Sequence, residues 1–94
     1  MLSGIAMDIT HWNYRVIRKE IALEEYEYGI YEVYYNSNGD MLCWSELPDH
    51  PYGESFLELQ NDMNGFKKAT QKPILEEKEI DGELKLVEIE NVRV

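Results

Sequence analysis

Residues 26–35, Tyr-Glu-Tyr-Gly-Ile-Tyr-Glu-Val-Tyr-Tyr, constrain this chain more than any other stretch. Five tyrosines with an isoleucine and a valine in ten residues suit a pleated surface. They suit a helix badly, because aromatic and β-branched side chains lose χ1 freedom against the preceding turn. A strand needs partners, and both flanks supply them. Residues 12–23 alternate in part and are β-branched in the middle, which predicts a strand before it. Asn36-Ser37-Asn38-Gly39-Asp40 predicts a turn, and residues 41–46 a third strand. The expectation is a meander of three antiparallel strands.

Two prolines and a glycine within Leu47-Pro48-Asp49-His50-Pro51-Tyr52-Gly53 end that pattern in a loop. Ser55 with Glu58 three residues on matches a capping box. Phe56, Leu59, Met63 and Phe66 then recur at helical spacing, Lys67, Lys68 and Lys72 lie where the helix dipole favours cations, and Pro73 stops the helix. Gly65 is a weak point, since a mid-helix glycine costs about 1 kcal/mol relative to alanine. Beyond it, residues 74–80 predict a fourth strand, and Asp81-Gly82 predicts a hairpin into residues 83–89. The order β-β-β-α-β, with a further strand, predicts an α+β domain: an antiparallel sheet with one helix on one face and a C-terminal hairpin. Residues 1–11 are expected as a tail, 12–75 as the domain and 76–94 as an extension.

At 94 residues the chain has room for one small domain, and its 44% hydrophobic content is not that of a disordered segment. No apolar run reaches the ~20 residues that a membrane helix needs. Met1 to Asp8 has no basic region and is not expected to act as a secretory signal, and Met7 offers an alternative start. Cys43 is the only cysteine, so an intrachain disulfide and a four-thiolate zinc site are both excluded, and a cytoplasmic location is expected.

Charge is distributed unevenly. The formal net charge is -10, and between Lys19 and Lys67 there is no lysine or arginine but eleven acids. Direct nucleic-acid binding needs a cationic stripe, and this is the reverse. An acidic surface favours a basic protein partner by steering encounter, although acids also serve simply to keep a small protein soluble. On the Tyr-rich strand, Gly29, Tyr31, Val33 and Tyr35 are expected to face the helix. Tyr26, Tyr28, Ile30, Glu32 and Tyr34 would then lie open, as an interface or beneath the C-terminal segment. For a partner, Glu32, Glu46 and Asp49 are the expected steering charges, and Tyr28, Tyr34 and Trp44 the expected anchors.

Nothing singles out an enzyme. Nucleophilic catalysis needs a thiol or hydroxyl beside a base, and Cys43 lies within a strand with His11 and His50 as the only histidines. No phosphate-cradling loop or nucleophile elbow is present, and neither Asp8 with His11 nor Asp49 with His50 makes a metal site. No catalytic residue, metal or cofactor is expected.

Trp12-Asn13-Tyr14-Arg15-Val16-Ile17 followed by Tyr28 to Tyr35, then Tyr52-Gly53-Glu54-Ser55 and Lys72-Pro73-Ile74-Leu75, resembles a group of small uncharacterised bacterial proteins. That group in turn resembles the HicB antitoxin fold, with Glu46-Leu47-Pro48 leaving the third strand and Gly53-Glu54-Ser55 opening the helix. The resemblance implies a β-β-β-α-β domain that masks a small basic RNA-cleaving toxin. Residues 76–94 carry no helix-turn-helix pattern or basic cluster, so operator binding is not expected, and Asp49-His50-Pro51 stands where that pattern prefers a glycine. The leading expectation is a non-enzymatic module of a bacterium or phage that masks a basic protein. The alternatives are a homo-oligomeric structural protein, such as a homodimer, and a phage-type inhibitor that mimics nucleic acid to block a nuclease.

Overall fold

The computed structural model describes residues 8–89. The elements run β1 (His11–Ala22), β2 (Glu25–Tyr35), β3 (Met41–Trp44), α1 (Phe56–Ala69), β4 (Leu75–Ile80) and β5 (Glu83–Glu88). The strands form one mixed sheet in the order β3-β2-β1-β4-β5, with a single helix among the described residues, so the class is α+β as expected. Of the tail expected over residues 1–11, residues 1–7 lie outside the described residues and His11 already belongs to β1; residues 90–94 of the extension also lie outside them.

The turns form where the sequence places them. Asn36 Oδ1 accepts the amides of Asn38 and Asp40, each at 2.9 Å, which closes the β2–β3 turn. Asp81 and Gly82 both take positive φ, 55° and 82°, and set Ile80 opposite Glu83 in a two-residue hairpin.

The sheet is not purely antiparallel. β4 runs parallel to β1, with Ile17 opposite Leu75 and Arg18 opposite Glu76. After three antiparallel strands, β3 points the same way as β1. The helix carries the chain back, so the next strand starts at the same end as β1 and pairs with its free edge.

The faces of the sheet are also the reverse of the expectation. Tyr14, which lies opposite Glu32, packs its ring 4.6 Å from that of Phe66 and donates its hydroxyl to Asp62 Oδ1 at 2.6 Å. The helix therefore sits on the face of Tyr28, Ile30, Glu32 and Tyr34. The Tyr31, Val33 and Tyr35 face is the inside of a curl. Trp44 on β3 donates its indole N–H to Glu77 Oε2 on β4 at 2.8 Å, although β2 and β1 lie between. In a flat sheet those strands would stand about 14 Å apart. Curling lets the sheet cover its own face: Ile17, Tyr31, Val33, Tyr35, Leu75 and Leu86 are buried there, with Met41 and Trp44 packed against them. Period-2 alternation groups residues 31, 33 and 35, but it cannot say on which side a helix will land.

The helix starts as expected and is seated differently. Ser55 Oγ accepts the Glu58 amide at 3.1 Å, while Glu58 Oε1 accepts the amide of Glu54, one residue earlier than a capping box requires. The helix runs through Gly65 unbroken and ends at Ala69, with Thr70 Oγ1 donating to the Lys67 carbonyl at 2.7 Å. A Cβ on Gly65 would lie 3.1 Å from the Tyr14 ring, so the glycine lets that ring come close. Within the helix only Ala69 is buried.

Candidate interaction surface

Three carboxylates meet where the loop after β3 folds between β2 and α1. Glu32 comes from β2, Asp49 from the loop and Asp62 from the helix, and together with Tyr14, Pro48, His50 and Tyr52 they line one shallow cleft. The loop is held there by two of its backbone amides. The Asp49 amide donates to the Ile30 carbonyl at 2.8 Å, and the Tyr52 amide to Asp62 Oδ2 at 2.9 Å. Gly53 continues the contact, since a Cβ there would collide with the backbone of Glu58 and Leu59.

This convergence shifts protons. Burial, a hydrogen bond with Glu32 and the charges of Glu32 and Asp62 push Asp49 up from 3.8 to about 6, partly offset by His50. No donor reaches the buried Oδ2 of Asp49. Two carboxyls form a hydrogen bond only when one of them holds a proton, so the Asp49–Glu32 contact is closed in the singly protonated pair and repulsive when both are ionised. Tyr34 donates to Glu32, which together with burial pushes its phenol up to about 12. Burial and the bond to Asp62 raise Tyr14 further still. The arrangement stores negative charge and holds phenolic protons in place. Among the described residues no group of His, Cys, Asp or Glu is disposed to hold a metal ion.

The six residues singled out in the sequence do not make one surface. Tyr28 is exposed on the helix-side face, beside Arg18. Tyr34, Glu32 and Asp49 share that face but are half-buried and bonded into the cleft. Trp44 points to the opposite, inner face, tied to Glu77. Glu46 is exposed just beyond β3, and its carbonyl accepts Lys19 Nζ at 3.2 Å.

The open apolar surface lies elsewhere. Phe56 is 74% exposed, Leu57 66% and Met63 51%, on the helix that carries the Phe56–Leu59–Met63–Phe66 stripe. Leu47 and Tyr52, in the loop held against this helix, are exposed as well. At the far end Phe66 touches Tyr14, and Tyr14 touches the half-exposed Trp12 edge-on at 5.1 Å, which continues the apolar strip onto the sheet. Exposed acids, Glu54 and Glu58, stand at the N-terminal end of this helix, and Glu46 is exposed at the start of the loop. Sequence periodicity locates this stripe on one helical face without saying which side of the helix meets the sheet. The signal that could have told is the polar line Glu58–Asp62–Gly65–Ala69, also at helical spacing, which includes the side that meets Tyr14.

No protein-family model, no curated protein and no solved structure matches this chain. Among the described residues, no helix is long and apolar enough to cross a membrane.

Proposed function

We propose that this domain is a non-enzymatic binding module that covers a basic, amphipathic surface on another protein. The contact surface is the loop Leu47–Gly53 together with the outer face of α1. The observation that carries this reading is the exposure of Phe56, Leu57 and Met63, beside Leu47 and Tyr52, within a stretch that holds no lysine or arginine between Lys19 and Lys67. Contiguous exposed apolar residues mark interaction surfaces, and neighbouring carboxylates select a cationic partner and speed its encounter. Glu46, Glu54 and Glu58 are the exposed steering charges, with Glu58 also accepting the Glu54 amide. Glu32 and Asp49 add to the field from within the cleft. Tyr28 stands apart from this surface, and Trp44 belongs to the inner face. The order β-β-β-α-β and the net charge agree with a HicB-like masking module, with a small basic RNase or nuclease as the class of target.

The test compares capture of basic proteins by the full chain with capture by a Phe56→Ser/Leu57→Ser variant, at low and high salt. Both side chains are exposed, so the variant should keep its circular dichroism and melting temperature. The expected result is a basic protein at fixed stoichiometry, released by salt and lost in the variant. Capture unaffected by the variant would overturn the reading. So would a stable dimer of the chain that hides Phe56 and Met63, which would instead favour the homo-oligomeric alternative.

A further inference from the structure

Because the sheet curls, its two edge strands confront each other across a groove. The groove has a volume of about 440 Å³ and runs between the Gly39–Trp44 stretch and Glu83–Leu86. It lies on the inner side of the sheet, away from the helix surface proposed above. The edges are not equivalent. β3 has four residues, and a register shift lies between Tyr34 and Tyr35 of its partner β2. Short, irregular edges of that kind resist further pairing. β5 has six residues in unbroken register with β4 and contains no proline.

The hydrogen-bonding direction of β5 follows from its pairing. The Ile89 amide donates to the Ile74 carbonyl at 3.0 Å, which makes 74 and 89 a bonded pair. Alternation then turns the backbone groups of Glu83, Lys85 and Val87 toward β4, and those of Leu84, Leu86 and Glu88 outward. On β3 the Ser45 amide donates to the Glu32 carbonyl at 2.9 Å, so Trp44 turns its backbone outward by the same rule. Leu84 and Leu86 thus offer both side chain and free backbone to the groove. Leu84 is 59% exposed, whereas Leu86 is buried beside the core.

We infer that the β5 edge is a second binding site, which accepts an extended peptide strand of a partner protein by β-augmentation. Only an extended main chain presents donors and acceptors at the spacing that Leu84, Leu86 and Glu88 require. Apolar residues at alternate positions of that strand meet Leu84, Leu86 and Trp44. Basic residues between them turn to the opposite face, where Glu83 is the acid of this edge, 3.9 Å from Lys85, and Asp40 adds negative charge at the rim of the groove; Glu88 shares the face of Leu84 and Leu86 and lies 3.9 Å from Arg15. A second copy of the chain fits poorly as the occupant. Each copy carries the same net charge of -10, which opposes their approach and favours a cationic strand instead.

The probe is an acetylated, amidated hexapeptide of alternating valine and lysine, titrated into the 15N-labelled full chain. Saturable shifts are expected at the amides of Leu84, Leu86 and Glu88 and at the Trp44 indole. N-methylation of the peptide's pairing amides should weaken binding by about tenfold or more, because main-chain bonds carry this mode of recognition. Leu84→Pro should do the same while leaving the sheet intact, since the amide it removes points outward, and Leu84→Ala should bind within about threefold of the parent. If Leu84→Pro fails to fold, the N-methylated peptide alone decides. Undiminished binding of that peptide, shifts confined to Phe56–Met63, or no shifts at millimolar peptide would overturn the proposal. A dimer of the chain that disappears in the Leu84→Pro variant would also overturn it, by assigning the edge to a second copy.

Discussion

The Asp49–Glu32 pair makes stability depend on pH in a direction opposite to the ordinary salt-bridged carboxylate. Asp49 titrates near 3.8 when unfolded and near 6 in the fold. Between those values the folded state holds the extra proton, so stability falls as pH rises through about 4 to 6, and is level above it. A rise of that size corresponds to about 3 kcal/mol if the pair were fully shielded from water. Here Asp49 and Glu32 are half-buried and the cleft opens past the exposed His50 and Tyr52, so screening reduces the effect to about 1 kcal/mol. The perturbation is Asp49→Asn. The amide is neutral at every pH, keeps the backbone bond to Ile30, and can donate to Glu32 where the carboxylate could only repel it. Glu32, Asp62, Tyr14, Tyr34 and His50 face this group from the other elements and remain unchanged. The assay is urea denaturation of both proteins from pH 4 to 8, with the difference between them cancelling the titration of the other acids. At pH 7.5 the variant should be more stable by about 1 kcal/mol, a Tm about 4–8 °C higher. Near pH 4 the two should converge. A variant no more stable at pH 7.5, or a difference that does not change with pH, would refute a shared proton in this cleft.

Arg18→Ala should destabilise the fold by about 3 kcal/mol in denaturant titrations. It strands the Glu76 carboxylate, which is buried and held by Arg18 Nη2 at 3.0 Å. A double replacement, Arg18→Met with Glu76→Leu, should recover most of that loss, since exchanging both partners for apolar groups leaves no uncompensated charge. Gly65→Ala should forfeit the ~1 kcal/mol that alanine ordinarily adds to a helix interior and leave Tm unchanged or lower. The added Cβ would stand 3.1 Å from a Tyr14 ring fixed by both Phe66 and Asp62.

What the sequence made legible was local. The turns at Asn36–Asp40 and Asp81-Gly82, the Ser55 cap and the Tyr-rich strand all rest on chemistry within a few residues, and each appears as expected. What it hid depends on contacts across the chain. The parallel pairing of β4 with β1 follows from counting strand directions, and that count is only meaningful once β4 is known to join the same sheet. The inward curl hinges on Trp44 meeting Glu77, 33 positions apart in the sequence. The candidate anchors lie on two strands, Tyr28 and Tyr34 on β2 and Trp44 on β3, and alternation within each strand cannot tell the inside of a curl from an open face. Trp44 was therefore grouped with Tyr28 and Tyr34, which point the other way.

The exposed helix stripe follows from a competition in which polar anchoring wins over apolar burial. Rotating α1 by about 100°, one residue's turn, would bring Met63 to the sheet in place of Asp62. Burying Phe56 and Met63 would stabilise the isolated domain by about 1.5–3 kcal/mol each. The same rotation would remove the acceptor of the Tyr14 hydroxyl and the Asp62 contact that holds the loop at Tyr52, and would replace the Gly65 hollow that receives the Tyr14 ring with a bulkier surface. A half-buried phenol left without its partner would cost about 1–3 kcal/mol, the exposed Tyr52 amide less because water can replace Asp62, and the lost ring contact adds to that. The loop weighs on the polar side, because Asp62 is one of its anchors, together with the Asp49–Ile30 bond and the close approach of Gly53 to the helix. The fold therefore leaves apolar area on α1 exposed in the free molecule, beside the carboxylates that would draw a cationic partner to it.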